Sequence, residues 1–222
     1  MGIESQGYRL VCTKYPSIHL FDDVASAEDF EHLYTLQELT NPRLQDEVGN
    51  VELIDPNEIP YQCANGRSYA VAPFTHVNPN GGRFNDGLFG ALYIADLERT
   101  AMLEVKYHQQ RYYQNVEGLE FDRIVFRSLV VRHNAEPIHT VKEGETDILD
   151  PDKYTASQAL ACQLKKDGYQ GVLYPSVRNQ GAECIALFTP KPVLDVMQTS
   201  LIEMIWDGES IADVNHVTHI ES

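Results

Sequence analysis

The sequence predicts an α+β fold in a single domain. Short apolar runs bounded by turn-forming residues read as strands. Between them lie longer stretches whose apolar residues fall on one helical face. The two kinds alternate in no regular β-α-β order, which argues against a doubly wound parallel sheet. The 222 residues are 43% hydrophobic and 23% charged, enough apolar material for one sizeable core. No repeat or low-complexity linker divides the chain.

In order along the chain, Tyr8 to Lys14 reads as a strand with Leu10 and Cys12 on one face. Ser26 opens a capping box with Asp29, and the following helix runs through Phe30, Leu33, Tyr34 and Gln37. Asn41-Pro42 should stop it. Residues 43–80 contain Pro56, Pro60, Pro73 and Pro79 and read as long loops with short helical turns. Ala91–Ala95 is a short strand, and Asp96 is placed to cap a helix from Leu97 to about Gln110. Asp122 to Arg132 alternates, with Ile124, Phe126, Ser128 and Val130 on one side, as a half-buried strand does. Residues 133–153 read as a polar, acidic loop, and Tyr154 to Lys166 as a helix. Four short strands are expected at Gly171–Tyr174, Glu183–Phe188, Val193–Met197 and Leu201–Trp206. The domain is expected to span 1–206, with 207–222 as a polar tail.

Composition narrows the function. Lys plus Arg is 17 and Asp plus Glu is 33, a net charge of −16. A direct grip on nucleic acid or an anionic membrane needs a basic surface, so neither is expected. The longest apolar runs, such as Ile185–Phe188, fall far short of a membrane span. The N-terminus shows no basic-then-apolar leader pattern, and Gln6 stands where myristoylation needs Ser or Thr. Cys12, Cys63, Cys162 and Cys184 are widely spaced, with no C-x-x-C, and read as buried, reduced thiols. Together these point to the cytoplasm. His216 and His219 lie in the expected tail with no carboxylate at metal-site spacing, so no metal is expected.

Three stretches carry the chemistry. The first is Asn80-Gly-Gly-Arg-Phe-Asn-Asp-Gly-Leu-Phe-Gly90. Its glycines let a ligand approach the backbone, and Arg83 offers a two-pronged grip on phosphate. It is not a P-loop, because Leu88-Phe89 stands where Lys and Ser/Thr are required, and it lacks the dinucleotide fingerprint. A hairpin loop with a solvated arginine is the plainer reading. The second is Glu104. On a helix from Leu97, residues Leu97, Ala101, Glu104, Val105 and His108 share one face, so a carboxylate sits in a mostly apolar stripe. Such a charge is either functional or half of a structural salt bridge. The third is Tyr174-Pro-Ser-Val-Arg178, where Pro175 ends a strand and Ser176 and Arg178 lie two apart. No G-x-S-x-G elbow surrounds Ser176, so it is read as a polar turn or a ligand contact rather than a nucleophile.

Taken together and in order, these stretches resemble the RES domain, named for its Arg, Glu and Ser. The resemblance rests on Gly81-Gly-Arg-Phe-Asn85, Ala91-Leu-Tyr-Ile-Ala95 and Ala101-Met-Leu-Glu-Val105 ending in His108. It continues through Gly168-Tyr-Gln-Gly-Val-Leu-Tyr-Pro-Ser176-Val-Arg178 and Glu183-Cys-Ile-Ala-Leu-Phe188. Weaker similarity runs from Tyr8-Arg9-Leu10 to about Trp206. The family's arginine, tyrosine, glutamate and serine fall on Arg83, Tyr93, Glu104 and Ser176, which the resemblance implies are catalytic. It further implies NAD-binding roles for Arg9, Asn85 and Arg178.

What the resemblance implies is specific. The fold would be related to ADP-ribosyltransferases and diphtheria-toxin-like enzymes, with a cleft between the halves of a split sheet. The activity would be that of a toxin that cleaves NAD+ at the nicotinamide–ribose bond, with inorganic phosphate or water as acceptor. NAD+ is then the substrate, inorganic phosphate a co-substrate, and no resident cofactor is expected. The expected partner is an Xre-type helix-turn-helix antitoxin that occludes the cleft, with a homodimer inside the toxin–antitoxin complex as one arrangement. Two other classes stay open: an ADP-ribosyltransferase acting on a macromolecule, and a non-catalytic binding module.

Overall fold

The computed structural model describes residues 4–15, 21, 22, 24, 26–40 and 49–218. Eight strands among them form one mixed sheet: β1 (Ser5–Cys12), β2 (Leu92–Ala95), β3 (Asp122–His133), β4 (Ile138–Thr140), β5 (Gly171–Pro175), β6 (Glu183–Leu187), β7 (Val193–Trp206) and β8 (Ile211–Val217). Their order is β4-β5-β6-β2-β1-β3-β7-β8. All pairs are antiparallel except β4 with β5. β1 pairs with β3 from Ser5↔His133 to Cys12↔Phe126, but with β2 only at Tyr8↔Ala95. The sheet is therefore split into halves that meet at one rung, as expected.

Helices cover both faces. α1 (Ala27–Thr40) and α2 (Arg67–Thr75) supply Phe30, Ala70, Val71 and Phe74 to a core with Leu129, Val131 and Val193. α3 (Glu98–Tyr113) and α4 (Thr155–Lys166) supply Ala101, Tyr113, Ala161 and Leu164 to a second core with Ile124, Phe126, Ile202 and Trp206. Alternation explains how one strand serves both: in β3 the even residues Ile124 and Phe126 point to one core, the odd residues Leu129 and Val131 to the other. Half-burial on a single side, as expected for this strand, holds only for its first half.

Several elements differ from expectation. β7 is one strand, not two: the polar Gln198-Thr-Ser200 run is continuous sheet at an exposed stretch. Residues 211–217, read as tail, form the edge strand β8, paired from Leu201↔Val217 to Trp206↔Ile211. An edge strand keeps one side in water, so its sequence stays polar. α2 lies inside the region read as loop, with Pro73 near its C-terminal end, and β4 inside the 133–153 loop. Ser26 does cap α1, its Oγ accepting from the Asp29 N–H at 3.1 Å. The stop at Asn41-Pro42 and His219 lie outside the described residues. Cys63 and Cys184 are buried, Cys12 and Cys162 half-buried, and all four are free thiols. No helix among the described residues is long and apolar enough to cross a membrane.

Candidate active site

A cavity of about 480 Å³ opens where the half-sheets part, within the usual range for small-molecule sites. β1 contributes Tyr8, Arg9 and Leu10, β2 contributes Tyr93, Ile94 and Ala95, and the glycine loop contributes Gly81, Gly82 and Arg83. α3 turns Ala101, Glu104, Val105 and His108 into it. That is the stripe read from helical periodicity, save Leu97, which is exposed. Arg9, Arg83, Tyr93 and Glu104 therefore share one cavity. Ser176, Asn85 and Arg178 do not line it, though Ser176 bonds Glu104 and Asn85 bonds Tyr93.

The glycine loop is a tight turn, closed by Gly82 N–H to the Asn85 carbonyl at 2.8 Å. Asn85 Nδ2 donates to the Phe89 carbonyl at 3.1 Å, and its Oδ1 accepts from Tyr93 Oη at 2.7 Å. Tyr93 Oη in turn accepts from the Phe84 N–H at 2.8 Å. Both functions of the Tyr93 hydroxyl are thus spent on the loop, and burial raises its pKa further above the ordinary value. Its ring faces the cavity while its hydroxyl braces the turn. A Cβ at Gly82 would stand 2.7 Å from Asn85 Oδ1 and 2.8 Å from Tyr93 Oη, so this position admits only glycine without displacing the brace. Gln158 on α4 holds the loop from outside, its Nε2 donating to the Gly82 carbonyl at 3.0 Å.

The two arginines are the main electrostatic feature. Arg83 is 7% exposed and lies over the Tyr154 ring at 4.6 Å. Its Nη1 donates to the carbonyl of Asp150 at 2.6 Å. Arg9 Nη1 donates to the Tyr93 carbonyl at 3.2 Å, and its Nε is buried without a hydrogen-bond partner. Burial pulls the Arg9 guanidinium down to about 10, which leaves it charged at neutral pH. Neither arginine pairs with a carboxylate among the described residues. Buried cations without a counter-ion are costly, and an anionic ligand would offset that cost.

Glu104 makes no ion pair among the described residues; its Oε1 accepts from Ser176 Oγ at 2.7 Å. Ser176 is buried and itself accepts the backbone N–H groups of Arg178 at 3.2 Å and Asn179 at 3.1 Å. Arg178 packs its guanidinium on the Tyr107 ring at 3.4 Å and donates to the Pro151 carbonyl at 2.8 Å. In the cavity lining, loss of water on burial and then the charges of Arg178, Arg83 and Arg111 hold the His108 imidazole below its ordinary pKa. Sequence reasoning missed Tyr107, Tyr154, Thr100 and Asn179. Tyr107 and Tyr154 carry a usable signal, since aromatic side chains are frequent platforms for guanidinium groups.

A model of the RES domain matches residues 59–207. The chain belongs to the RES-domain family. The match includes Arg83, Tyr93, Glu104 and Ser176 and leaves β1, with Arg9, and β8 outside it. The RES chain is also 26% identical over 219 residues to an uncharacterized protein, y4oC, of Sinorhizobium fredii (strain NBRC 101917 / NGR234), covering 96% of this chain and 87% of that one. Among solved structures it is similar to one from the M. tuberculosis MbcT–MbcA toxin–antitoxin complex, at 18% identity and a TM-score of 0.37, over 63% of this chain and 73% of that chain.

Proposed function

We propose that this RES-domain chain cleaves NAD+ at the nicotinamide–ribose bond and passes the ADP-ribosyl group to inorganic phosphate or water. The observation that carries the reading is one cavity, in a chain of net charge −16, lined by Arg9 and Arg83, which have no carboxylate partner among the described residues, and by the carboxylate of Glu104. Two guanidiniums suit the pyrophosphate of a dinucleotide, or one phosphate each from dinucleotide and acceptor.

The chemistry asks little else of the protein. The C1″–N bond breaks with its electron pair going to the nicotinamide nitrogen, so the positively charged ring leaves neutral and needs no acid. The ribose carbon passes through an oxocarbenium-like state. Glu104, held by Ser176, faces that developing positive charge or a ribose hydroxyl. An oxygen of inorganic phosphate then bonds C1″ and gives ADP-ribose-1″-phosphate. With water as acceptor the product is ADP-ribose, and one proton is released that Glu104 is placed to take. The Tyr93 ring forms part of the wall against which nicotinamide or ribose packs.

In a cell this activity would act as a toxin by draining NAD+. A basic, DNA-binding antitoxin of the Xre type that covers the cleft fits both the acidic chain and the need to keep the cavity closed. Incubating the purified chain with NAD+, with and without phosphate, and identifying products by mass tests the proposal. Nicotinamide release with ADP-ribose-1″-phosphate or ADP-ribose is the expected result. Intact NAD+, or label carried onto a protein or nucleic acid, overturns it.

A further inference from the structure

Glu104 is held by a series of hydrogen bonds that closes into a ring through the backbone of α3. Asp96, just before α3, accepts from the Leu97 N–H at 2.7 Å and Thr100 Oγ1 at 2.9 Å through one oxygen. Its other oxygen accepts from the Glu183 N–H of β6 at 2.9 Å. Thr100 is fully buried, and its hydroxyl also accepts from Asn179 Nδ2 at 2.9 Å. Asn179 then donates its backbone N–H to Ser176 Oγ, whose proton goes to Glu104.

Hydroxyl stoichiometry makes this ring directional. A serine hydroxyl has one proton and two lone pairs. The N–H groups of Arg178 and Asn179 fill the acceptor side of Ser176, so its proton points at Glu104. Thr100 and Glu104 are four residues apart, one above the other on the same face of α3. The 176–179 turn grips both: Asn179 takes the lower one and Ser176 the upper.

We propose that Asn179 is a positioning residue for Glu104, fixing the 176–179 turn to α3 through Thr100 and setting the Ser176 hydroxyl through its backbone. The kinetic part rests on the NAD+-cleavage reading; the geometric part does not. Misplacing a reacting group by about 1 Å costs up to roughly 10²-fold in rate.

The test uses Asn179→Ala in the full chain, with Thr100→Val and Thr100→Ser beside it. Asn179→Ala and Thr100→Val are expected to lower kcat roughly tenfold or more with KM for NAD+ nearly unchanged, while Thr100→Ser, which keeps the hydroxyl, retains turnover. In a Ser176→Ala background, Asn179→Ala should cost little further, because both act through the same carboxylate. An equal fractional loss in both backgrounds, or an unchanged kcat, overturns the proposal. Should Asn179→Ala fold poorly, Thr100→Val against Thr100→Ser carries the same decision. If the wild-type chain leaves NAD+ intact, the cleavage reading fails by itself, and crystal structures of wild type and Asn179→Ala decide the positioning role. A displaced Glu104 carboxylate supports it, and an unmoved one overturns it.

Discussion

Arg83 lies over Tyr154, with Cζ 4.6 Å from the ring centroid, and donates from Nη1 to the backbone carbonyl of Asp150. The ring contact and the carbonyl bond hold the guanidinium in place before any ligand arrives. Arg83→Lys keeps the charge but loses the planar fork and the stack. The expected result is at least roughly tenfold weaker binding of ADP-ribose with the fold intact. Calorimetric titration with ADP-ribose checks this, and equal affinity for both proteins would remove Arg83 from the ligand site.

Glu104→Gln separates catalysis from structure. Turnover of NAD+ should fall by roughly 10²-fold or more. Melting temperature should hold, because Glu104 makes no ion pair among the described residues and an amide oxygen still accepts from Ser176. A buried structural salt bridge would instead cost about 3 kcal/mol on losing its charge. A stable variant with near-normal turnover would end the assignment of Glu104. Glu183 would be a poor substitute, since it is exposed on β6.

Arg9 should show opposite effects on binding and stability. Its buried Nε has no partner, and burial lowers its pKa, so the free chain bears a constant cost for keeping it charged. Arg9→Met is expected to leave melting temperature unchanged or raised while ADP-ribose affinity drops. Thermal melts of both proteins with and without ADP-ribose measure the two effects together. A clear fall in the unliganded melting temperature would make Arg9 structural.

The pH dependence follows from two imidazoles. His108 and His133 both have pKa values lowered from 6.5, with burial the first cause in each and nearby arginines adding to it at His108. Below pH 6.5 the unfolded chain takes up those protons first. Stability is therefore full above about pH 6.5 and is lost as pH falls from there through the lower folded values. His133→Gln should flatten the decline in melting temperature between about pH 7 and pH 5. A decline of the same slope in the variant would place its cause elsewhere.

The sequence disclosed the site better than the frame around it. Helical spacing put Ala101, Glu104, Val105 and His108 on one face, and all four line the cavity. Apolar runs located β2, β5 and β6 because these strands are buried and short. The edge strand β8 was hidden because only Ile211 is buried in it, so no alternation announces it. α2 was hidden by Pro73, which sits late enough in the helix to do little harm. The division of labour at the site was hidden for another reason. Tyr93 and Asn85 look like ligand contacts by residue type, yet their hydrogen bonds are spent on each other and on the loop backbone, and only the through-space geometry reveals it.

The single rung between β1 and β2 also has a mechanical meaning. A sheet resists bending through its ladder, and across this gap the ladder is reduced to Tyr8↔Ala95, with the Arg9 side chain on the Tyr93 carbonyl beside it. Gly7 lets the strands close up, since a Cβ there would stand 2.4 Å from the Ala95 carbonyl oxygen. The half-sheets thus meet at a crease tied less by the ladder than by Glu98, which stands just after β2 and accepts from Ser128 of β3 and Ser200 of β7.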